Sequence, residues 1–434
     1  MYRGLSAPLT VQVEITERCP NQCVHCYNFW RHSEHTDTGL ATLDTPQLDS
    51  IMDEIEQARV FEVVITGGEP LNNKPGMFHL LDRIETSQGS RASLNTTLIG
   101  LTNEDAVRLA GYRHLGSVLV SVMGPTAEIH DRLSNHQGSF NRTIEGITLL
   151  NRYGVPVAAN MIVSRLNMVY IKETAELCRN LGIRVFNATR ATSPLNCPNF
   201  SPYALNLQEF RQYLSDLGDA GCAHGIPVGV LTVYPLCGVR DVRRHRMAAG
   251  RRCSAGITVA VVSASGEMRA CTHVQESVGN IFSTSLPILW DRMRPWRNGS
   301  LLPAVCRDCR ALAICGGGCR ADAQVIHGSL QAEDPLISLV DVDTSIEEHQ
   351  LFRQENQPTV MIPGHLIMNP DLRWRLEPFG STWYLQRCVG FFNSNTTELL
   401  VSLLNRRLNT VDLSETLLED FLRGLVEKRI LVGV

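Results

Sequence analysis

Between about residue 9 and residue 235, short runs of β-branched and other apolar residues alternate with longer stretches in which apolar side chains recur every three or four positions. The first pattern marks strands, the second amphipathic helices, and their alternation is that of βα units around a parallel sheet. "LTVQVEIT" reads as the first strand, and "FEVVITGGEP" as a second that runs into a glycine turn. "SVLVSVMG", "VPVAANMIV" and "GIRVFNATR" read as further buried strands, the last behind the helix "YIKETAELCRNL". "DTPQLDSIMDEIEQA" predicts a helix with Thr45 as N-cap, Pro46 at the first helical position, and Leu48, Ile51, Met52 and Ile55 as its apolar stripe. A full or partial (β/α) barrel follows for residues 1–230, with the chemistry on the loops after the strands.

Periodicity fades between residues 231 and 345, where cysteines crowd. Beyond the polar stretch "TSIEEHQLFRQENQP" a third pattern starts, so residues 346–434 read as a separate domain. "LRWRLEPFGSTWYLQ" and "VGFFN" predict an antiparallel hairpin, and "TTELLVSLLNRRL" and "SETLLEDFLRGLVEKRIL" two helices. Asn395 and Glu398 have the spacing of a capping box, and Leu417, Leu418, Phe421, Leu422 and Leu425 recur at helical intervals.

With 434 residues and 44% hydrophobic ones, the chain can bury a large core. A net charge of −4 without any basic run speaks against nucleic acid or anionic membrane as a partner. There is no apolar signal segment and no run of about 18 apolar residues, so a cytoplasmic location is expected. Fourteen grouped cysteines in a reducing compartment point to metal or cluster ligation rather than disulfides.

The stretch "ERCPNQCVHCYN" carries Cys19, Cys23 and Cys26 just past the first strand. An iron–sulfur cubane takes four thiolates, so three leave one iron open to another ligand. A zinc site completed by His25 or His35 is the alternative. Residues 67–70, "GGEP", Gly67 to Pro70, follow the second strand; Gly67 and Gly68 permit close backbone approach, and Glu69 can accept a charge-assisted hydrogen bond from an ammonium.

In this order and spacing the two segments resemble the radical S-adenosylmethionine (SAM) superfamily. The resemblance implies a [4Fe–4S] cluster on Cys19, Cys23 and Cys26 whose fourth iron binds SAM, reductive cleavage of SAM to a 5′-deoxyadenosyl radical, and a contact of "GGEP" with the SAM amino group. It also implies softer SAM contacts: Asn95 and Thr96 in "SLNTTL", Ser121, Asn160 and Arg190. No catalytic acid or base stands out.

Downstream, Cys253 and Cys271 flank Gly266, and Cys306, Cys309, Cys315 and Cys319 follow at intervals of two, five and three residues. This register resembles the SPASM extension, which holds auxiliary iron–sulfur clusters. The resemblance implies a first auxiliary cluster on Cys253, Cys271 and Cys319 with an upstream cysteine, Cys237 or else Cys222. A second would take Cys306, Cys309 and Cys315, but in "AEDPLIS" Ile337 and Ser338 stand where its fourth cysteine is expected. Asp334, Cys388, water or substrate could replace it, or the cluster could be absent. Cys178 reads as core, and Cys197 as an unassigned loop cysteine.

The C-terminal pattern resembles the small winged-helix domain with which maturases of ribosomally made peptides hold a leader segment by strand addition. A peptide maturase that forms a carbon–carbon, ether or thioether cross-link within a precursor peptide is the reading this implies, with a flavodoxin- or ferredoxin-type reductant as partner. A peptide epimerase, an anaerobic sulfatase-maturing enzyme and a non-catalytic scaffold are the alternatives.

Overall fold

The computed structural model describes residues 4–32, 40–194, 198–249, 251–338, 365–369, 371–385, 388–404, 408–409, 424–427 and 429–433. Two compact units emerge, one spanning Ala7–Leu351 and one spanning Phe352–Val434 with Arg3–Ser6.

In the first unit, β1 (Thr10–Glu14), β2 (Glu62–Thr66), β3 (Arg91–Thr96), β4 (Leu115–Ser121), β5 (Val157–Val163), β6 (Val185–Arg190) and β7 (Val228–Gly229) lie side by side in chain order. Each neighbouring pair is parallel. Helices alternate with them: α1 (Thr45–Gln57), α2 (Lys74–Ser87), α3 (Asn103–Ala110), α4 (Ala127–Ser134), α5 (Ser139–Arg152), α6 (Ile171–Asn180) and α7 (Leu207–His224). This is the expected α/β architecture of a partial barrel.

The strands show which sheet face is the working one. Val11, Val13, Val63, Ile65, Leu94, Val118, Val120, Ala159 and Met161 are wholly buried. Their alternating neighbours, which share the other face, are largely polar: Gln12 pairs with Val64, Val64 with Ser93, and Ser121 with Asn160, which pairs with Asn187. Parallel strands covered by helices on both faces read as continuous apolar runs. A polar inner face instead marks a cavity lining.

The stripe of α1 is buried as expected, but the N-cap is Asp44 rather than Thr45. Asp44 is extended and its Oδ1 accepts the Gln47 N–H at 2.9 Å, while Gln47 Oε1 accepts the Asp44 N–H at 3.0 Å. This reciprocal box places Thr45 inside the helix.

The cysteine-rich segment adds to the same sheet. β8 (Val259–Val262) pairs in parallel with β1, and β9 (Glu267–Arg269) and β10 (Ser277–Asn280) continue antiparallel from it. Short helices carry the rest: α8 (Leu236–Val239), α9 (Leu286–Arg292), α10 (Arg294–Arg297), α11 (Leu312–Cys315) and α12 (Arg320–His327). β1 therefore lies inside a ten-stranded sheet.

Among the described residues, the second unit has two three-stranded antiparallel sheets. One joins β11 (His365–Met368) to β15 (Leu408–Asn409) and β16 (Leu431–Gly433), an arrangement the sequence reading did not include. The other joins β12 (Arg373–Glu377), β13 (Gly380–Leu385) and β14 (Cys388–Asn393). Trp383 is buried there between the stacked Trp374 and the edge of Phe392, and Ser381 accepts its indole N–H at 2.6 Å. α13 (Ser394–Leu404) is capped by Asn393, whose Oδ1 accepts the Thr396 N–H at 2.9 Å, so the cap lies two residues before the expected Asn395. Leu425 is buried, whereas Leu417, Leu418, Phe421 and Leu422 fall outside the described residues.

Candidate functional site

The loop behind β1 and the turn behind β2 are stitched together by backbone. Gly68 N–H donates to Thr16 O at 2.6 Å, and Glu69 N–H to Arg18 O at 2.8 Å. A Cβ on Gly67 would lie 2.4 Å from Thr16 O, and one on Gly68 2.3 Å from Arg18 O. Both glycines are thus required by close approach, and Gly67 has a φ of +137° as well. From the other side, Gln22 and Val24 N–H groups donate to Ser134 O and Leu133 O at the end of α4. Held in this way, the loop carries Cys19, Cys23 and Cys26 half-exposed at the mouth of the strands.

His25 is buried, and burial lowers its imidazole to about pH 4. Four ligands around one zinc at about 2.3 Å must nearly touch. Among the described residues no three Cys, His, Asp or Glu side chains close on one point in that way. Thiolates on different irons of a cluster stand farther apart. His35 and Cys197 lie outside the described residues.

Glu69 differs from expectation. Its carboxylate is wholly buried and accepts hydrogen bonds from Thr96 Oγ1 at 2.5 Å, Thr97 N at 2.6 Å, Thr97 Oγ1 at 2.7 Å and Leu71 N at 3.0 Å. Those four donors match the lone-pair capacity of a carboxylate. Burial still raises its pKa against these hydrogen bonds. Glu69 thus ties the glycine turn to the end of β3, and Thr96 serves the same brace. Pro70, itself buried, opens a short turn behind it.

Asn95, Ser121 and Asn160 stand half-exposed on the polar face, with Asn160 accepting from Thr189 Oγ1 at 2.9 Å. Arg190 has an acidic partner from the cysteine-rich segment. It is buried at the end of β6, and its guanidinium pairs with Asp322 at the head of α12.

Four residues beside the loop escaped the sequence reading. Glu14, on the inner face of β1, is buried against Arg269 of β9; burial, opposed by that guanidinium, pushes its pKa up to about 7. Arg269 lies over the rings of Phe29 and Trp30. Tyr27, next to Cys26, stacks on His273 with centroids 4.3 Å apart. A charged residue alternating with valines in "LTVQVEIT" was the available signal for Glu14.

The downstream cysteines fall into two groups. Cys319 belongs to a buried cluster with Val233, Val274 and Ala321, against which Cys253 and Cys271 pack. Cys306, Cys309 and Cys315 lie on the neighbouring turns and interact electrostatically with one another. Gly316, Gly317 and Gly318, all left-handed, separate Cys315 from Cys319. Cys237 interacts electrostatically with Cys315 and Cys306. Cys222 is exposed on α7 and Cys178 is wholly buried, its thiol pushed up to about 12. No disulfide forms among the described residues.

Residues 13–178 match the Radical SAM superfamily. The chain is 26% identical over 352 residues to an AdoMet-dependent heme synthase of Oleidesulfovibrio alaskensis, covering 77% of this chain and 88% of that protein. It is 28% identical over 351 residues to the mycofactocin maturase MftC of Mycobacterium tuberculosis, covering 77% and 83%. In fold it is similar to Streptococcus suis SuiB bound to the precursor peptide SuiA, with a TM-score of 0.63 at 16% identity, covering 76% of this chain and 75% of SuiB. The chain carries a radical SAM domain, whose cofactors are a [4Fe–4S] cluster and SAM. Three half-exposed thiols in one braced loop beside a glycine turn fit that group. No described helix is long and apolar enough to cross a membrane.

Proposed function

We propose that this radical SAM enzyme is a peptide maturase that forms an intramolecular side-chain cross-link in a ribosomally made precursor peptide. The observation that carries the reading is the stitching of the three-cysteine loop to the glycine turn, at the end of a sheet that the cysteine-rich segment extends through β8, β9 and β10. Cys19, Cys23 and Cys26 would hold the cluster, and Gly67, Gly68, Asn95, Ser121 and Asn160 would border SAM. When bound, the pair supplies a 5′-deoxyadenosyl radical, able to take hydrogen from an unactivated carbon.

The chain's own part is positioning and exclusion of water. Glu69 fixes the turn, Asn95 and Asn160 offer hydrogen-bonding groups to a ligand, and the buried Glu14–Arg269 pair closes the wall behind Tyr27. In the second unit, β12 and β14 expose Leu376, Val389 and Phe391. A leader segment would add to such a sheet as a further strand. A flavodoxin- or ferredoxin-type protein would deliver the reducing electron.

Anaerobic incubation with reductant, SAM and a precursor peptide encoded near the enzyme tests the reading. A cross-link appears as a peptide lighter by a pair of hydrogens, with 5′-deoxyadenosine formed in step; unchanged mass with inverted stereochemistry would turn the reading to epimerisation. The heme synthase relatives support a second reading, SAM-dependent synthesis of haem from a precursor. Turnover of such a compound, with no peptide product, would favour it.

A further inference from the structure

The cysteine missing after "AEDP" is supplied from another place in the fold. We propose that Cys237 is the fourth thiolate of the auxiliary site formed by Cys306, Cys309 and Cys315, which leaves Cys253, Cys271 and Cys319 as a three-thiolate site. The proposal rests on the reading of the downstream cysteines as cluster ligands.

Cys237 lies in α8, and α8 is held on both sides by what a fourth ligand would need. On one side Leu236 N–H donates to Cys315 Sγ at 3.4 Å. On the other, Gly238 presses on the segment after Asp334, so closely that a Cβ on it would lie 2.5 Å from Leu336 O. The backbone N–H of Ser338, which stands where the resemblance expects a cysteine, donates to the Cys237 sulfur. Cys237 thus brings its sulfur to the place that the absent side chain would have filled. Its thiol interacts electrostatically with both Cys315 and Cys306. Arg211 holds the outer side, donating to Gly238 O at 2.9 Å and to Cys237 O at 3.4 Å.

Asp334, the nearest alternative, is committed elsewhere. It is 1% exposed, its Oδ2 accepts the Cys319 N–H at 2.6 Å, and its Oδ1 accepts the Leu336 N–H at 2.8 Å. This carboxylate turns the chain so that residues 336–338 reach α8. The glycine triplet completes the division: Gly318 has a φ of +81°, and a Cβ there would meet Asp334 Oδ2 at 2.6 Å. Cys315 and Cys319 are thereby directed to separate groups.

The test compares anaerobically reconstituted full-length protein with Cys237→Ala, Cys309→Ala and Cys253→Ala, and with the double variants Cys237→Ala/Cys309→Ala and Cys237→Ala/Cys253→Ala. Iron and sulfide content and the low-temperature EPR spectrum of the reduced protein are read, and far-UV circular dichroism confirms folding. Cys237→Ala should remove or convert the same EPR component as Cys309→Ala, and their double variant should lose no more iron than Cys309→Ala alone. Cys237→Ala/Cys253→Ala should lose two components. If Cys237→Ala instead matches Cys253→Ala, or leaves both components intact, the proposal is overturned. Cys237→Ser covers a failure of the alanine variant to fold: an oxygen ligand should shift the g values of the Cys309 component only. Wild-type protein that holds no iron beyond the Cys19, Cys23 and Cys26 cluster would refute the auxiliary-site reading itself, a separate result.

Discussion

The loop 17–28 takes its three cysteines from one short stretch behind a single strand, whereas the downstream thiols are gathered from α8, residue 253, the segment after β9, the turns around residues 306–315 and the head of α12. In the first region neighbours along the chain are neighbours in space. In the second, Cys315 and Cys319 are close in sequence yet separated by three left-handed glycines, while Cys237 and Cys315 meet across a long stretch of chain. A local site can be read from spacing; a site assembled by topology requires the fold.

The sharpest way to test this contrast is to remove one thiol from each region. Cys23→Ala should reduce 5′-deoxyadenosine formation to background, while Cys253→Ala should retain it and lose peptide product, both followed by anaerobic chromatography and mass spectrometry. Equal loss of SAM cleavage in the two variants would dissolve the distinction.

A smaller effect is expected from the brace. Glu69→Gln replaces an acceptor oxygen by a donor facing the Thr97 N–H and hydroxyl, so it should cost about 3 kcal/mol in chemical denaturation. The glycines offer a matched pair. Gly68→Ala would push a methyl group into Arg18 O, and Gly318→Ala into Asp334, each at a cost of about 1–3 kcal/mol. Cluster EPR should show the first disturbing the signal that depends on Cys23, and the second disturbing the downstream signals.

The smallest effect concerns the support of the loop from below. Burial acts to raise the Asp131 carboxyl, but hydrogen bonds from Phe140 N–H, Gly138 N–H and Ser139 Oγ hold it below its usual value. A depressed carboxyl lends stability above its unfolded pKa and loses it as pH falls toward the folded value. Asp131→Asn should therefore cost about 1 kcal/mol at pH 6, allowing for solvent screening. Unfolding free energies of the two proteins should converge as pH drops below about 4.

The strand and helix order, the glycine turn and the buried stripe of α1 were legible in the sequence because periodicity and spacing are local properties. The inner face was legible only in part: Gln12 and Glu14 alternate with valines, but the partner of Glu14, Arg269, arrives through pairing of distant strands. The pairing of Arg190 with Asp322 was not legible, because position at a strand end does not reveal which distant residue will meet it there. The cap of α1 moved by one residue and that of α13 by two, since several polar residues near each start can cap and backbone geometry decides among them. Cys237 could be named from sequence but not assigned, because its partner group depends on where α8 packs.

The pairing of β1 with β8 has a consequence for the order of biosynthesis. β1 precedes β8 by a long stretch of chain, so one of its edges stays unpaired until Val259–Val262 have been made. Closing so long a loop is slow, and an open strand edge in the meantime invites mispairing. The nascent chain thus holds this cysteine loop beside an unfinished sheet, and the loop gains its final wall, including Arg269 and His273, only after the downstream cysteine-rich segment has been synthesised.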